Sequence, residues 1–210
     1  MSRVLLTGAT GLVGGHLLRL LMADERVTQI IAPTRRPLAK MNKVINLVEP
    51  DLTDVLRSLD TPVDRVFCCL GSTRKQAGSK DAFIYVDYTL VVDTALAGQR
   101  LGAEHLLVVS AKGANSHSPF FYSRVKGEME NALRHENWPR LTLVRPSLLL
   151  GDRDNRRQGE SFIAPFFKRL PGNWRAVAAS DVAQLLLREA FAPVEARLTI
   201  IESGKIPRSS

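Results

Sequence analysis

Tyr122 and Lys126 are the two side chains of this sequence whose types and spacing best suit proton transfer. Residues at positions i and i+4 share one face of a helix. A lysine ammonium beside a phenol favours the phenolate and so lowers a tyrosine pKa that is ordinarily about 10. Such a tyrosine can give a proton to a carbonyl oxygen or take one from an alcohol. The alternative is an ordinary pair of residues on the surface of a helix.

Two elements would position these groups. The apolar run 104–110 predicts a buried strand that ends at Ser110, and residues 121–136 predict the helix that carries the tyrosine and the lysine. Ser110 lies 12 residues before Tyr122. A hydroxyl at the end of that strand could help to bind the oxygen of a substrate.

The N-terminal segment has the parts of a phosphate-binding turn. Residues 3–7 predict a buried parallel strand, Gly8, Gly11 and Gly14 follow, and residues 11–23 predict a helix. Free backbone N–H groups and the positive end of the helix dipole would face an anion there. Strand, glycine turn and helix in this order predict a nucleotide pyrophosphate site. The alternative is a tight turn that binds no ligand.

The residues after the second predicted strand indicate which nucleotide binds. A dinucleotide site usually places an acid about 20 residues past the glycines, where it binds the ribose 2′-hydroxyl. This chain has Arg35 and Arg36 in that region and no acid. Two guanidinium groups suit a 2′-phosphate, which they can bind in bidentate fashion. We therefore predict NADP(H) rather than NAD(H). The alternative is that both arginines are solvated loop charges.

Strand and helix patterns alternate along the chain with short connections. Repeated β-α-β units predict an α/β fold, a doubly wound parallel sheet with helices on both faces. We expect one domain over residues 1–204 and a flexible tail over 205–210. The predicted strands are 3–7, 27–32, 43–48, 63–70, 104–110, 140–146 and one near 196–201; the predicted helices are 11–23, 53–59, 80–100, 121–136, 160–169 and 180–191.

Ligands of such a sheet lie at the carboxyl ends of its strands. Gly71 and Ser72 follow the fourth strand, where a glycine lets the backbone pass close to a ribose or to the adenosine side. Asp51 and Leu52 follow the third strand, where they would meet the adenine. Each pair could instead belong to an ordinary turn.

The composition is that of an ordinary globular chain, 45% hydrophobic and 24% charged. No apolar run has membrane-spanning length and the chain starts on a strand, so we expect neither membrane insertion nor a signal peptide. Cys68 and Cys69 are adjacent in an apolar run, which favours buried strand residues of a cytoplasmic protein over a disulfide or a metal site.

The formal charge of +8 raises the question of a nucleic-acid partner. The basic residues are scattered, and no lysine or arginine run has interleaved aromatic residues, so we predict no nucleic-acid binding. Residues 153–157 contain three arginines next to two aspartates. They form either a solvated surface or a segment that attracts an anionic cofactor or substrate.

Taken together, these motifs resemble the short-chain dehydrogenase/reductase family, in particular its atypical, NADP-binding branch. The resemblance covers nearly the whole chain and implies a Rossmann sheet of strand order 3-2-1-4-5-6, with an optional seventh strand. It rests on residues 7–14, 35–36, 51–54, 69–73, 108–113, 122–126, 144–146 and 181–183.

The resemblance also implies a role for each matching residue. Tyr122 would be the acid/base and Lys126 its activator and the anchor of the nicotinamide ribose. The pyrophosphate would lie on Gly8, Thr10, Gly11, Leu12, Val13 and Gly14, the 2′-phosphate on Arg35 and Arg36, the adenosine side on Leu70, Gly71 and Ser72, and the nicotinamide amide on the backbone of Pro146, Ser147 and Leu148.

Three departures from the family pattern matter. Many relatives have two consecutive serines at the end of the fifth strand, often with the second one catalytic, and this chain has Ser110 followed by Ala111. Relatives usually offer an asparagine in the helix after the fourth strand for a proton relay, and the nearest match here is Asp87. The chain is also too short for a large substrate subdomain. Residues 152–161 and 162–174 are the candidates for a lid, although the aromatic residues of the second segment could equally be core.

Two classes of function remain. One is an NADPH-dependent reductase of a small carbonyl or quinone-like substrate, which the Tyr122/Lys126 pair favours. The other is an NADPH-binding regulator or scaffold, which the Ser110-Ala111 departure and the missing subdomain favour. In either class the protein could form a homo-oligomer, and the fold alone does not decide between them.

Overall fold

The computed structural model describes residues 1–150 and 176–207. Its centre is a seven-stranded sheet in which every neighbouring pair of strands is parallel. The strands are β1 (Ser2–Thr7), β2 (Val27–Thr34), β3 (Val44–Val48), β4 (Arg65–Cys68), β5 (His105–Val109), β6 (Arg140–Arg145) and β9 (Leu198–Glu202). A second, two-stranded sheet pairs β7 (Leu149–Leu150) with β8 (Val177–Ala178).

The strand order in the large sheet is β3-β2-β1-β4-β5-β6-β9. This order confirms the predicted Rossmann topology together with its seventh strand. The helices between the strands are α1 (Leu12–Ala23), α2 (Leu52–Ser58), α3 (Arg74–Ala77), α4 (Lys80–Ile84), α5 (Leu90–Arg100), α6 (Phe121–His135) and α7 (Ala179–Phe191).

The core consists of two apolar layers, one on each face of the sheet. Because side chains alternate along a strand, Val4 and Leu6 of β1 enter the first layer and Leu5 enters the second. The first layer includes buried residues of α1 and α7, and the second includes those of α2, α5 and α6. Both faces of the sheet are therefore covered, as the apolar strands predict.

The predicted helix over 80–100 is present in the structure and contains a π-helical turn. α4 is followed by a π-helical turn, Tyr85–Thr89, and α5 begins at Leu90. A π-turn adds one residue to a helical turn and is frequent at functional sites. Asp87 lies in this turn with 0% of its surface exposed. The predicted helical bounds 80–100 are therefore correct, and the π-turn that places this carboxylate within them was not predicted.

Other predicted boundaries differ from the structure by one or two residues, and two of these differences have a structural reason. β4 ends at Cys68, two residues before the predicted end, because after Cys69, whose N–H still donates to Thr7, the chain turns towards Asp87 at Ser72. At the C-terminus, Ser203–Lys205 forms a 3₁₀ turn and Ile206 is buried in the core, so ordered chain continues past residue 204. The predicted helix 160–169 lies outside the described residues.

His105 begins β5 at the end of the sheet opposite to the glycine turn and is 4% exposed. Its Nε2 lies 2.9 Å from the hydroxyl of Thr142. Burial, together with the positive charges of Arg140 and Arg65, lowers the pKa of His105 from 6.5 to about 3. The folded protein therefore keeps this imidazole neutral, whereas the unfolded chain protonates it at mildly acidic pH.

We expect acid to destabilise the fold through His105. Because the folded pKa lies below the unfolded one, the stability contribution is fully present above about pH 6.5 and is lost as the pH falls towards 3. The His105→Gln variant should therefore lose less stability than the wild type between pH 7.5 and pH 4.5 in urea unfolding, by about 1–3 kcal/mol. His117→Gln, at an exposed position, serves as the control. Equal acid dependence of wild type and His105→Gln would contradict this assignment.

Candidate active site

The turn after β1 brings three backbone segments into close contact. Gly8 has a φ of +79°, and a Cβ added to it would lie 2.5 Å from the carbonyl of Cys69. A Cβ on Gly14 would lie 2.1 Å from the oxygen of Gly8. The N–H of Gly11 donates to that same oxygen at 2.8 Å. Any side chain at the first or third glycine would push α1 away from β1 and from the end of β4.

The N-terminus of α1 suits a phosphate group. Its N-cap is Gly11, which makes no side-chain capping bond, and its first turn contains no acid. The first N–H groups of a helix have no partner within the helix, and the dipole places positive charge there. The residues present therefore fit the pyrophosphate of a dinucleotide. Thr10 and Leu12 to Gly14 belong to the same turn and first helical residues, and their predicted contact with the cofactor stays a prediction.

Arg35 and Arg36 are exposed in the loop after β2. The hydroxyl of Thr34 donates to the carbonyl of Arg36 at 2.7 Å, and Asn46 Nδ2 donates to that hydroxyl at 2.8 Å. Asn46 Oδ1 also accepts the N–H of Leu38 at 2.8 Å, so one amide side chain shapes the loop. None of the ion pairs in residues 1–150 and 176–207 includes either arginine, and both guanidinium groups face solvent.

Helix α6 presents Tyr122 and Lys126 on one face, as predicted. Lys126 is only 2% exposed, and its Nζ lies 2.7 Å from Asp87 Oδ1. Tyr122 is 40% exposed, and its ring packs against that of Phe83 with a centroid separation of 5.6 Å. The tyrosine ring is thus partly exposed, whereas the ammonium is buried against Asp87.

The pKa of Tyr122 moves in the direction opposite to our prediction. Desolvation raises it above the ordinary value; the charge of Lys126 lowers it and that of Asp87 raises it, both by smaller amounts. The lysine acts with the expected sign, but desolvation is the larger effect and the charge of Asp87 opposes that of the lysine. The expected net lowering is therefore wrong, and the phenol is neutral at neutral pH.

Lys126 itself stays charged. Burial lowers its pKa, but the charge of Asp87, the neighbouring Tyr122 and the hydrogen bond to Asp87 together outweigh that effect, and the pKa is raised. The same carboxylate accepts two hydrogen bonds on Oδ2, from the N–H of Ser72 at 2.9 Å and from its hydroxyl at 2.6 Å. Asp87 therefore joins the loop after β4 to α6. The sequence indicated Asp87 as the counterpart of a relay asparagine, but not as the counterion of the lysine.

Residues predicted for the adenosine side have partners within the protein. The Asp51 carboxylate caps α2 by accepting the N–H of Thr53 at 2.8 Å, and it accepts the Tyr85 hydroxyl at 2.6 Å. Leu52 is buried in the core at 5% exposure. Leu70 is also buried, at 9%, while Gly71 is exposed. Whether any of these residues binds adenosine stays a prediction.

The hydroxyl of Ser110 has a partner within the protein, which argues against the predicted role in substrate binding. This hydroxyl donates to Glu130 Oε1 at 2.6 Å, and Glu130 is 1% exposed. Arg145 makes two bonds to the same carboxylate, at 2.6 and 2.9 Å. Sequence patterns missed this buried network. Glu130 lies four residues after Lys126 on α6, and that spacing was the available signal.

The predicted nicotinamide end of the site follows β6. Pro146 is buried, and its carbonyl accepts the N–H of Lys112 at 2.9 Å. The hydroxyl of Ser203 donates to that of Ser147 at 2.9 Å, and Leu148 is 45% exposed. The lid candidates 152–161 and 162–174 and the arginine segment 153–157 lie outside the described residues.

The adjacent cysteines have no sign of reactivity. Cys68 is buried and Cys69 is partly buried, and both are free thiols. Burial raises the pKa of Cys68 and raises that of Cys69 further. Both thiols are therefore protonated and act as small apolar residues. Among the described residues, no group of three or more His, Cys, Asp or Glu side chains could hold a metal ion.

Fold and site together define an NAD(P)-binding Rossmann protein of the short-chain dehydrogenase/reductase kind. The family described as NAD(P)H-binding matches residues 8–193, and the chain belongs to that family. It is 32% identical to protein HTATIP2 of Rattus norvegicus, over 97% of this chain and 87% of the rat protein. It is also 32% identical to the mitochondrial protein fmp52 of Emericella nidulans, over 100% of this chain and 93% of the fungal protein.

Solved structures share the fold at low sequence identity. A short-chain dehydrogenase family protein from Francisella tularensis has a TM-score of 0.72 and 16% identity, with 98% of each chain covered. The Bordetella bronchiseptica enzyme WbmG in complex with NAD has a TM-score of 0.73 and 15% identity, over 97% of this chain and 73% of that one. These structures confirm the predicted fold class.

The comparisons correct the expected location. Fungal relatives from Lodderomyces elongisporus, Emericella nidulans and Aspergillus clavatus are named mitochondrial proteins, which points away from the cytoplasm that we predicted. Cysteine usage could not make this distinction, because reduced thiols are common to both compartments. Separately, no helix within the described residues is both long and apolar enough to cross a membrane.

We expect the Gly14→Ala variant to be destabilised by about 3 kcal/mol, since its methyl group would meet the rigid backbone oxygen of Gly8 at 2.1 Å. Gly15→Ala is the matched control on the same helical turn. Its methyl group would lie 3.6 Å from the nearest backbone oxygen, an ordinary contact, and alanine favours the helix by about 1 kcal/mol. Urea unfolding of both variants measures the difference. Equal stabilities would show that the close approach of α1 to β1 is not required.

Proposed function

We propose that this protein is an NADPH-dependent reductase of a small carbonyl or quinone-like substrate. The observation that carries the proposal is the buried Lys126–Asp87 ion pair at 2.7 Å, on the same face of α6 as a neutral Tyr122. In the reduction of a carbonyl, a protonated phenol would give a proton to the oxygen, and a charged lysine would stabilise the phenolate that remains. The membership of an NAD(P)H-binding family and the oxidoreductase-like neighbours support the same class.

The cofactor would be held by residues at the carboxyl ends of the strands. The pyrophosphate fits the uncapped N-terminus of α1, beside Gly8 and Gly11. Arg35 and Arg36 would bind the 2′-phosphate, and this pair is our reason to propose NADPH rather than NADH. When bound, NADPH would supply a hydride to the carbonyl carbon of the substrate.

Tyr122 would protonate the substrate oxygen as negative charge develops on it. The raised pKa of the phenol keeps it protonated at neutral pH, so it would be able to donate a proton to the substrate oxygen. Lys126 would hold the ribose and stabilise the phenolate that remains. We assign Ser110 to positioning, since its proton is directed to Glu130.

The second candidate is an NADPH-binding regulator with little or no turnover. Ala111 stands where many related enzymes have a serine, and the Ser110 hydroxyl is engaged elsewhere. Such a protein would bind the cofactor with the same residues but would catalyse no reaction. Cofactor binding would instead change its contacts with partners, including other copies of itself. Turnover assays with a panel of quinones, aldehydes and ketones distinguish the two candidates.

The double variant Arg35→Ala, Arg36→Ala should bind NADPH at least about tenfold more weakly. A charge-assisted hydrogen bond contributes on the order of 1.5–3 kcal/mol, and about 1.4 kcal/mol corresponds to tenfold in affinity. Titration of NADPH and NADH against both proteins measures the effect. NADH lacks the 2′-phosphate, so its affinity should not change. Arg57→Ala, at an exposed position on α2, controls for net charge. Equal affinity of the wild type for NADPH and NADH would refute the assignment.

Tyr122→Phe should keep NADPH affinity nearly intact and lower turnover by about a hundredfold to ten-thousandfold, because only the proton donor is removed. The readout is NADPH oxidation with the substrate panel. Tyr88→Phe, on the neighbouring π-turn, is the matched control and should keep wild-type turnover. Equal rates for wild type and Tyr122→Phe on the same substrate would exclude Tyr122 as the acid. Tight NADPH binding without turnover of any substrate would favour the regulator.

A further inference from the structure

Asp87 makes contacts that connect three parts of the site. It lies in the π-turn between α4 and α5 and has 0% exposure. Oδ1 is 2.7 Å from Lys126 Nζ, while Oδ2 accepts both the N–H and the hydroxyl of Ser72. The exposed Gly71 also lies close to this ion pair, since a Cβ added to it would be 3.6 Å from Asp87 Oδ1 and 3.8 Å from Lys126 Nζ.

We propose that Asp87 is a positioning residue that keeps Lys126 charged and in place beside Tyr122, and so retains the proton of this pair at alkaline pH. This inference rests on the proposed function only in assigning the pair to catalysis. The role of Asp87 towards the lysine can be tested without a cofactor or a substrate.

Among the groups around Lys126, Asp87 is the one that can balance the charge of the ammonium. Among the described residues, the ionisable groups with the largest effects on the ammonium are Asp87 from the π-turn, Tyr122 from its own helix and Cys68 from β4. Cys68 is protonated because burial raises its pKa, and the phenol of Tyr122 is neutral. Asp87 is therefore the carboxylate that balances the buried charge. A buried ammonium without such a partner lowers its pKa and loses its proton.

Removing the charge of Asp87 should therefore change the pH at which the Tyr122–Lys126 pair loses its first proton. An opposite charge within hydrogen-bonding distance changes a pKa by about 1–3 units. Tyr122 and Lys126 interact, so their protons leave in steps that belong to the pair. In Asp87→Asn, the first of these steps should move to lower pH by about 1–3 pH units, whichever of the two groups releases the proton.

Unfolding without cofactor is the first test. Asp87→Asn should be less stable than the wild type at pH 7, and this deficit should shrink as the pH rises towards 10.5, because the unpaired lysine can lose its proton while the protein stays folded. In the Lys126→Met background the same substitution should show no such pH dependence. The double variant should also be more stable than Asp87→Asn alone, since no unpaired buried charge remains.

These outcomes separate the proposal from a packing role. If Asp87 only fills space, the deficit is the same at every pH and adds to that of Lys126→Met, and the inference is overturned. If Asp87→Asn does not fold at pH 7, recovery of a folded protein in the double variant supports the inference, and failure to recover overturns it. Asp24→Asn breaks an ion pair with Arg26 at the opposite end of the sheet and should leave the alkaline profile unchanged.

The pH dependence of NADPH binding is the second test, followed by titration between pH 7 and 10.5. The alkaline loss of affinity should begin about 1–3 pH units lower in Asp87→Asn than in the wild type, with up to a tenfold change in Kd for each pH unit beyond that point. If the wild type binds no NADPH, the proposed function fails while the unfolding test still decides the role of Asp87. If NADPH binds and neither profile moves, only the inference on Asp87 fails.

Discussion

The ion pair between Lys126 and Asp87 is the interaction on which the rest of the site depends. Each partner is a charged group almost without solvent contact, and an unpaired charge in such a place is strongly unfavourable. Removing one partner of a buried pair typically costs about 3–5 kcal/mol. The pair therefore fixes the distance between α6 and the π-turn. Through the two hydrogen bonds to Ser72 it also fixes the loop after β4, where cofactor and substrate would meet.

A second buried pair gives α6 its remaining constraint. Glu130 accepts hydrogen bonds from Ser110 and Arg145, which lie at the ends of β5 and β6. Because Tyr122, Lys126 and Glu130 are spaced by four residues, their side chains follow one face of α6. The ion pairs of Lys126 and Glu130, one turn apart, therefore fix both the rotation and the axial position of the helix. The orientation of the tyrosine follows from these contacts, since its own ring is only partly covered.

The glycine turn provides a different kind of constraint, based on backbone contact. Gly8 and Gly14 allow β1, α1 and the end of β4 to approach at distances that no side chain would permit. This close packing leaves the N–H groups at the start of α1 facing the crevice at the strand ends. The glycine turn and the Tyr122–Lys126 pair are thus held in place by different kinds of contact, yet the loop that follows β4 contacts both regions.

The sequence alone determined the order of strands and helices, the glycine turn and the pairing of Tyr122 with Lys126 on one helical face. These features depend on local periodicity and on spacing within one element, which neighbouring residues specify. Only the tertiary structure decided that Asp87 pairs with Lys126, that the phenol has a raised rather than a lowered pKa, and that Ser110 donates to Glu130. Those outcomes depend on burial and on partners 15 to 39 residues away along the chain. Neither burial nor such a long-range partner is encoded in the local pattern, because both arise when the helices pack on the sheet.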